Sequence, residues 1–392
     1  MIGKKREGSG KKIKTPIVFI LLVLFVFLAF VIFFGFLFSS DTARMPLPVF
    51  EEIYSVTGDL HENIRKIDYS IYESLYRKGT QESDILFLGV HPRHEGGHAW
   101  DFTELLVECP DDHSALSLQK IIIRDLIALG PEIRHRNEET ARSRIICHIF
   151  VRDFYTHKII LQYDLHRETA TVFRPKIAII IDDLGYDLDM ASSFIKLDLP
   201  LSISVLPSAP FTDVIVKEAN REGRELILHL PMEPRNYPHV DPGPGTLLLS
   251  MTDQSIRMVL DQDIAQIKGA RGVNNHMGSS FTENRDKMLL VLRELQERNL
   301  FYVDSRTTSG AVGYELAREI GLSAARRNVF LDNDPVPGAI KIQMERLLSK
   351  ARHSGTAIGI GHPHKETLEM LEEYVHRMKT EFQVVPVSEL AS

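Results

Sequence analysis

The second half of the chain alternates between short apolar runs and segments with apolar residues at helical spacing. Its first apolar run, Ile177–Ile181, is rich in β-branched residues and passes directly into Asp182 and Asp183. A run of this length that ends in a turn is typical of a buried parallel strand. Further predicted strands are 201–206, 225–230, 272–275, 301–304, 324–330, 357–360 and 383–387, with helical patterns between them. This alternation over residues 175–392 predicts a parallel sheet, and its length suits a (β/α) barrel.

Residues 55–172 have a different pattern, which predicts a small α+β domain. Apolar residues recur at helical spacing between residues 55 and 78, and a second helix is expected at 114–129. Strands are expected at 84–90, 102–109, 132–138, 142–153 and 158–163. The polar, glycine-bearing stretch 91–100 is interpreted as a loop.

The N-terminal region has the pattern of a membrane anchor. Six basic residues lie within residues 1–15, and residues 16–38 form 23 successive residues without a charge. About 20 apolar residues span a bilayer, and no small-residue cleavage site follows, so an uncleaved transmembrane helix is favoured over a signal peptide or a buried helix. The basic tail should stay in the cytoplasm. Residues 39–54 are then a linker, and the domains that follow lie outside the cytoplasmic membrane, in the periplasm of a bacterium.

Overall charge and cysteine content add little to the functional assignment. The formal net charge of −7 and the isoelectric point near 6.2 give no indication of a nucleic-acid partner. Cys109 and Cys147 are the two cysteines. They could pair in an oxidising compartment or remain as two buried thiols, and the sequence leaves both alternatives open.

Polar residues follow several of the predicted strands, at the point where each strand ends. They are Asp182, Asp183, His229, His276, Asp304, His362 and His364. The carboxyl ends of parallel strands meet at one rim, so these side chains are expected to converge there. Two histidines and one aspartate are a common ligand set for a catalytic divalent metal. Taken singly, each histidine has the alternative of simple packing, and the two aspartates have that of a helix cap.

Seven segments in order carry a resemblance to a known family: IIIDDLG, LSISVLPSAP, GRELILHLPMEP, GPGTLL, GVNNHMGSS, FYVDSRTTS and GIGHPH. Residues 175–390 resemble the divergent polysaccharide deacetylases, which are related to the chitooligosaccharide and peptidoglycan deacetylases. The resemblance implies a distorted (β/α) barrel of about seven strands. With the preceding segments, the expected fold class is α/β, a barrel preceded by a transmembrane helix and a small α+β domain.

The resemblance also implies roles for individual residues. Asp182 matches the general base, Asp183 a metal ligand and His229 the first metal histidine. The family's second histidine, four residues later, is replaced here by Glu233. His276 is therefore predicted as the third ligand, and Glu233 is held as a reserve ligand or an alternative proton-transfer group.

Two further positions complete the comparison with the family motifs. The arginine that orients the base in ordinary members is missing near NNHMGSS. Arg306 could supply a positive charge, or it could simply pair with Asp304. GIGHPH matches the segment that carries the general acid, with His362 as the better fit and His364 as the second choice.

The implied activity is metal-assisted removal of acetyl groups from an N-acetylated polysaccharide, such as cell-wall glycan or an exported polymer. The expected cofactor is a divalent metal, with Zn²⁺ first and Co²⁺ or Ni²⁺ accepting similar ligands. A second possibility is a catalytically inactive carbohydrate-binding or envelope-assembly module that retains the metal pocket. A third possibility is a tethered protein that binds partners through residues 41–170.

Overall fold

The computed structural model describes residues 58–95, 98–140, 143–163 and 174–392. The predicted tail at 1–15, membrane span at 16–38 and linker at 39–54 all lie outside these ranges. Among the described residues, no helix combines the length and the apolar character needed to cross a bilayer. The described residues all belong to one compact unit.

The described residues contain two sheets and the helices that cover them. The helices are α1 (Gly58–Arg77), α2 (Asp112–Ile127), α3 (Leu188–Lys196), α4 (Thr212–Arg221), α5 (Asp253–Gln266), α6 (Arg285–Glu297), α7 (Gly313–Glu319), α8 (Pro337–Ser354) and α9 (Lys365–Glu381). The strands are β1 (Ile85–Glu95), β2 (His98–Glu108), β3 (Ile133–Thr140), β4 (Arg144–Val151), β5 (Phe154–Gln162), β6 (Lys176–Leu184), β7 (Ser202–Val205), β8 (Glu225–Met232), β9 (Ala270–Met277), β10 (Phe301–Asp304), β11 (Ala324–Arg326), β12 (Val329–Phe330), β13 (Thr356–Gly361) and β14 (Gln383–Val384).

The smaller sheet has five strands in the order β1-β2-β5-β4-β3. β1 and β2 pair as antiparallel neighbours from Ile85↔Val107 to Glu95↔His98. The prediction of a loop over 91–100 is therefore wrong for the described residues of that stretch. Polar side chains do not interrupt an antiparallel pair when one face of the sheet meets solvent, so polarity alone was a poor sign of a loop.

The two cysteines are unpaired. Cys109 and Cys147 are both buried free thiols. Burial raises the pKa of the Cys109 thiol to about 11 and that of the Cys147 thiol to about 12. Both groups therefore stay protonated at neutral pH and pack as small apolar residues.

Helix α8 joins the small sheet to the larger one. The hydroxyl of Ser349 donates to the carbonyl of Ile85 and accepts from the backbone N–H of Phe87, each at 2.7 Å. The ammonium group of Lys350 donates to the carbonyl of Leu88 at 2.9 Å. Side chains of the helix thus form hydrogen bonds with backbone groups of an edge strand that have no neighbouring strand to pair with. One continuous apolar core includes residues of both sheets.

The larger sheet is parallel throughout and has the strand order β11-β10-β9-β8-β7-β6-β13-β12, with β14 paired to β6. The family resemblance implied about seven strands and the apolar runs predicted eight, whereas the sheet has nine. The ninth strand arises at 324–330. This segment is split, because β11 pairs with β10 while β12 pairs with β13 at the opposite edge. Two residues can span only about 11 Å between the two pairings, so the edges must lie close together. The arrangement is consistent with a distorted (β/α) barrel.

Strand β6 lies inside this sheet, as its apolar sequence predicted. All five residues of Ile177–Ile181 are fully buried. Helices on the outside and neighbouring strands on both edges leave no solvent-facing side, which is why the strand shows no alternation. The carboxyl ends of β6, β8, β9 and β13 carry the polar residues considered below.

A glycine-rich loop at 241–249 packs on α5 through a buried carboxylate. A side chain at Gly245 would place its Cβ 2.6 Å from Oδ1 of Asp263, so only glycine fits there. Within the described residues, Oδ2 of Asp263 has no hydrogen-bond partner. Burial raises the pKa of Asp263 from its ordinary 3.8 to about 7.

This shift predicts a specific dependence of stability on pH. The folded protein binds a proton at Asp263 more tightly than the unfolded chain does, so this residue lowers the free energy of unfolding as pH rises from about 4 to about 7. At pH 8 the free energy of unfolding of Asp263→Asn, measured by denaturant titration, should therefore exceed that of the wild type by about 1–4 kcal/mol. At pH 4 the two free energies should be equal. Asp261→Asn, at an exposed position two residues earlier in the same helix, is the control. Equal pH dependence in wild type and Asp263→Asn would contradict the assignment.

Candidate metal and catalytic centre

The backbone turns sharply where three strands of the larger sheet end. Asp183, Met277 and Arg306 have φ values of 57°, 52° and 52°, in the left-handed region that non-glycine residues seldom adopt. They lie at or just beyond the carboxyl ends of β6, β9 and β10. Each such residue costs of order 1 kcal/mol, and clusters of them are found mainly at functional sites.

Three side chains from β6, β8 and β9 meet at this rim. Oδ1 of Asp183 lies 2.8 Å from Nε2 of His229 and 2.8 Å from Nδ1 of His276. The two imidazole nitrogens are 3.2 Å apart. Tetrahedral bonds of about 2.0–2.1 Å to a metal ion separate its ligand atoms by roughly 3.3 Å. The triangle therefore has nearly the size that such an ion requires.

The carboxylate of Asp183 has the properties of a cation ligand. Asp183 is 1% exposed, and neither of its oxygens has a partner with hydrogen-bonding geometry among the described residues. Burial by itself raises the pKa of this carboxyl, but His276 and His229 outweigh burial and hold the pKa far below its usual range. One carboxylate and two imidazoles thus fit a divalent metal such as zinc, and Asp183, His229 and His276 would hold it.

An asparagine lies behind these ligands and joins them to Asp182. The side-chain nitrogen of Asn274 donates to Oδ1 and Oδ2 of Asp182 at 2.8 and 2.9 Å. Its side-chain oxygen accepts from Nδ1 of His229 at 2.9 Å and from the hydroxyl of Ser204 at 2.8 Å. Because Nδ1 of His229 carries the proton that Asn274 accepts, Nε2 of the same ring keeps its lone pair, which faces Asp183. Asn274 therefore fixes both the carboxylate of Asp182 and the tautomer of His229.

His362 approaches the same cluster from β13. Its Nε2 lies 4.0 Å from Oδ2 of Asp183, and its Nδ1 lies 2.8 Å from Oδ1 of Asp332. The other oxygen of Asp332 accepts from the backbone N–H of His362 and from the hydroxyl of Thr367, each at 2.6 Å. This buried aspartate orients the ring so that Nε2 faces the cluster, as carboxylate partners of catalytic histidines do.

The accessory residues named from the sequence occupy other positions. Glu233 is not in the three-residue cluster, and its Oε2 accepts from the backbone N–H of Leu249 at 2.7 Å, which holds the 241–249 loop. Asp304 accepts backbone N–H groups of Arg306 and Tyr314 through its two oxygens. Burial raises the pKa of Asp304. The ring of His364 lies 6.3 Å from that of His362, at the start of α9.

Two buried residues of the site, Asn274 and Asp332, were not assigned from the sequence. Asn274 stands two residues before His276, and the two-residue period of a strand puts both on one face. That spacing was a usable signal. Asp332 follows the strand segment 324–330 and could have been included among the strand-end carboxylates. Its contact with His362 could not have been read from the chain, since the two are 30 residues apart.

The larger sheet matches a known protein family. The family model described as divergent polysaccharide deacetylase matches residues 179–391. The chain belongs to this family. The match begins within β6 and ends after β14, so it includes every residue of the cluster and leaves out the small sheet.

The chain is also similar to curated proteins and to a solved structure. The uncharacterized protein YibQ of Escherichia coli is 31% identical over 222 residues, which cover 57% of this chain and 69% of that protein. An uncharacterized protein of Haemophilus influenzae is 32% identical over 215 residues, or 55% of this chain and 76% of the relative. The crystal structure of an uncharacterized protein from Agrobacterium tumefaciens superposes with a TM-score of 0.53 at 26% identity, over 57% of this chain and 92% of that one.

Asn274 should control metal affinity although it does not touch the metal position. Asn274→Ala removes the acceptor at Nδ1 of His229 and is expected to weaken binding of Zn²⁺ by about 10–100-fold. Isothermal titration of the metal-free protein measures this directly. His364→Ala alters a nearby imidazole outside the cluster and should leave the affinity unchanged. Equal affinities of wild type and Asn274→Ala would contradict a positioning role.

Proposed function

We propose that this protein is a metal-dependent hydrolase that removes acetyl groups from an N-acetylated polysaccharide. The observation that carries the proposal is the cluster of Asp183, His229 and His276, whose ligand atoms lie within 4.8 Å of one another. Family membership supports the same reaction class. Metal-assisted hydrolysis needs a cation site, a proton acceptor and a proton donor, and the chain offers a residue for each.

A divalent ion bound by these three residues would polarise the acetyl carbonyl and lower the pKa of water. Asp182 accepts the proton of the attacking water. Asn274 occupies one lone pair on each oxygen of Asp182, and the remaining lone pairs are left for that proton. Asn274 thus does for the base what the missing arginine does in ordinary members, without adding a charge.

His362 supplies the proton that the leaving amine needs. Its Nε2 faces the cluster, and the carboxylate of Asp332 at Nδ1 stabilises the protonated ring. Asp182 and His362 approach Asp183 from different strands, β6 and β13, so one can act on the water while the other acts on the leaving group. When the C–N bond breaks, the amine leaves with the proton from His362 and acetate is released.

We infer the substrate and the location from the family and from the N-terminal sequence. The substrate class is carbohydrate, either cell-wall glycan or an exported polysaccharide. The uncharged segment 16–38 anchors the protein in the cytoplasmic membrane as a single span, with the basic tail inside. The hydrolase then works in the periplasm, where such polymers are accessible.

A carbohydrate-binding or envelope-assembly module is the second candidate. One observation favours it, namely that Glu233 replaces the family's second histidine and contacts the loop at Leu249. Both candidates predict metal and glycan binding, and they differ in turnover. Release of acetate from an N-acetylglucosamine oligomer by the metal-loaded protein distinguishes them.

Asp182→Asn should separate catalysis from metal binding. The amide cannot accept the proton from water, so acetate release is expected to fall by about 10²–10⁴-fold. Metal content should stay at the wild-type level, because the three ligands are unchanged. Asp189→Asn, on the exposed face of α3, is the matched control and should keep full activity. Loss of the metal together with activity would show that Asp182 only supports His229, and undiminished activity would exclude it as the base.

A further inference from the structure

A cavity of about 460 Å³ lies between the small sheet and the larger one. Its walls come from α1, β2, the segment 327–330 and the first half of α8. None of the cluster residues Asp183, His229 and His276 lines it. The volume is sufficient for at least one sugar ring with its substituents, within the range of small-molecule sites.

The charged groups in the cavity walls are mostly engaged with one another. Arg346 pairs with Asp68 and Arg65 pairs with Asp334. Arg327 donates to the backbone carbonyls of Ser305 and Arg306 at 2.7 and 3.1 Å. An anionic ligand would need a free guanidinium or ammonium group, and each described arginine of the lining already has a carboxylate or carbonyl partner, although the buried Nε of Arg346 has none. The site therefore does not have the character of a phosphate or carboxylate pocket.

Several polar side chains that face the cavity have no partner among the described residues, and three of them bear on the kind of ligand. These three are the carboxylate of Asp101, the hydroxyl of Thr103 and the amide of Gln343. Thr103 is 2% exposed, so its hydroxyl is removed from bulk water. Together these groups offer acceptors and donors on two walls, from β2 and from α8. One unpaired carboxylate is too few for a metal ion, whereas this mixture matches a ligand that carries several hydroxyl groups.

Two aromatic rings complete the lining and relate the cavity to the catalytic residues. Tyr69 of α1 and Phe330 of β12 both line it. The ring of Phe330 also stacks on that of His362, with centroids 5.9 Å apart. The Arg327 guanidinium lies 3.4 Å from the Phe330 centroid. The ring of Phe330 thus lines the cavity and also contacts His362, the proposed proton donor.

We propose that this cavity is a distal sugar-binding subsite, which holds a residue of the glycan whose acetyl group lies at the metal cluster. The inference rests on the proposed function, because it extends the same substrate beyond the reacting sugar. Asp101, Thr103 and Gln343 hydrogen-bond the sugar hydroxyls, and Tyr69 and Phe330 pack against its apolar face. The small sheet thereby makes the enzyme selective for oligomers over single sugars.

The test compares binding of an N-acetylglucosamine tetramer and of the monomer to the full-length, metal-loaded protein by isothermal titration. The double variant Asp101→Ala/Gln343→Ala removes hydrogen bonds only to the distal sugar. Its affinity for the tetramer should fall by about tenfold or more, with the monomer affinity unchanged. Asp153→Ala, a substitution of an exposed aspartate on the same sheet, is the control and should bind the tetramer as the wild type does.

Thermal unfolding is measured for every variant. If the double variant does not fold, Thr103→Val, which keeps the side-chain volume and removes the hydroxyl, provides the same comparison. An unchanged tetramer affinity in a folded variant, or no tetramer binding by the wild type, would overturn the proposed subsite. Acetate release is a separate readout, because tetramer binding that depends on Asp101 and Gln343 without any turnover would refute the hydrolase and keep the subsite.

Discussion

The site depends on one constraint, the buried carboxylate of Asp183, which has no hydrogen-bond donor in the part of the chain that the structure describes. An isolated charge in such surroundings is expensive, and it persists only when a cation or a fixed set of dipoles compensates it. At Asp183 the two nearest groups are imidazole nitrogens, each at 2.8 Å from the same oxygen. Protonated imidazoles lower the pKa of Asp183 through their charge, whereas neutral imidazoles offer only lone pairs. With neutral rings, a shared metal ion would supply the positive charge in their place.

The parallel sheet is what makes this arrangement possible. In the register of β8 and β9, His229 lies directly opposite Asn274, and His276 stands two residues further along the same strand. The neighbouring strands β8 and β9 therefore carry one ligand each, and β9 also carries Asn274, which hydrogen-bonds to both His229 and Asp182. Asp332 likewise hydrogen-bonds to His362 of β13. The Nδ1 atom of His229 is thus held by an oxygen from the adjacent strand, and the Nδ1 atom of His362 by an oxygen of the segment that follows β12.

Much of the larger sheet could be predicted from the chain, because buried parallel strands read as short apolar runs and their ends are marked by polar residues. The three members of the cluster followed from that pattern together with the family resemblance. The split of 324–330 could not be predicted, since pairing to two different neighbours leaves no trace in composition. The β1–β2 pair was missed at 91–100 because an antiparallel pair with a solvent-facing side tolerates polar residues. The contact of Glu233 with Leu249 depends on the path of a 16-residue loop, which spacing does not encode.

The central claim is that Asp183, His229 and His276 form a metal site. Elemental analysis of the purified full-length protein and of Asp183→Ala, after loading with Zn²⁺ and removal of excess metal, tests it most directly. The account predicts about one divalent ion per chain in the wild type and none in the variant, with both folded by circular dichroism. A wild type that retains no metal, or a variant that retains as much as the wild type, would contradict it.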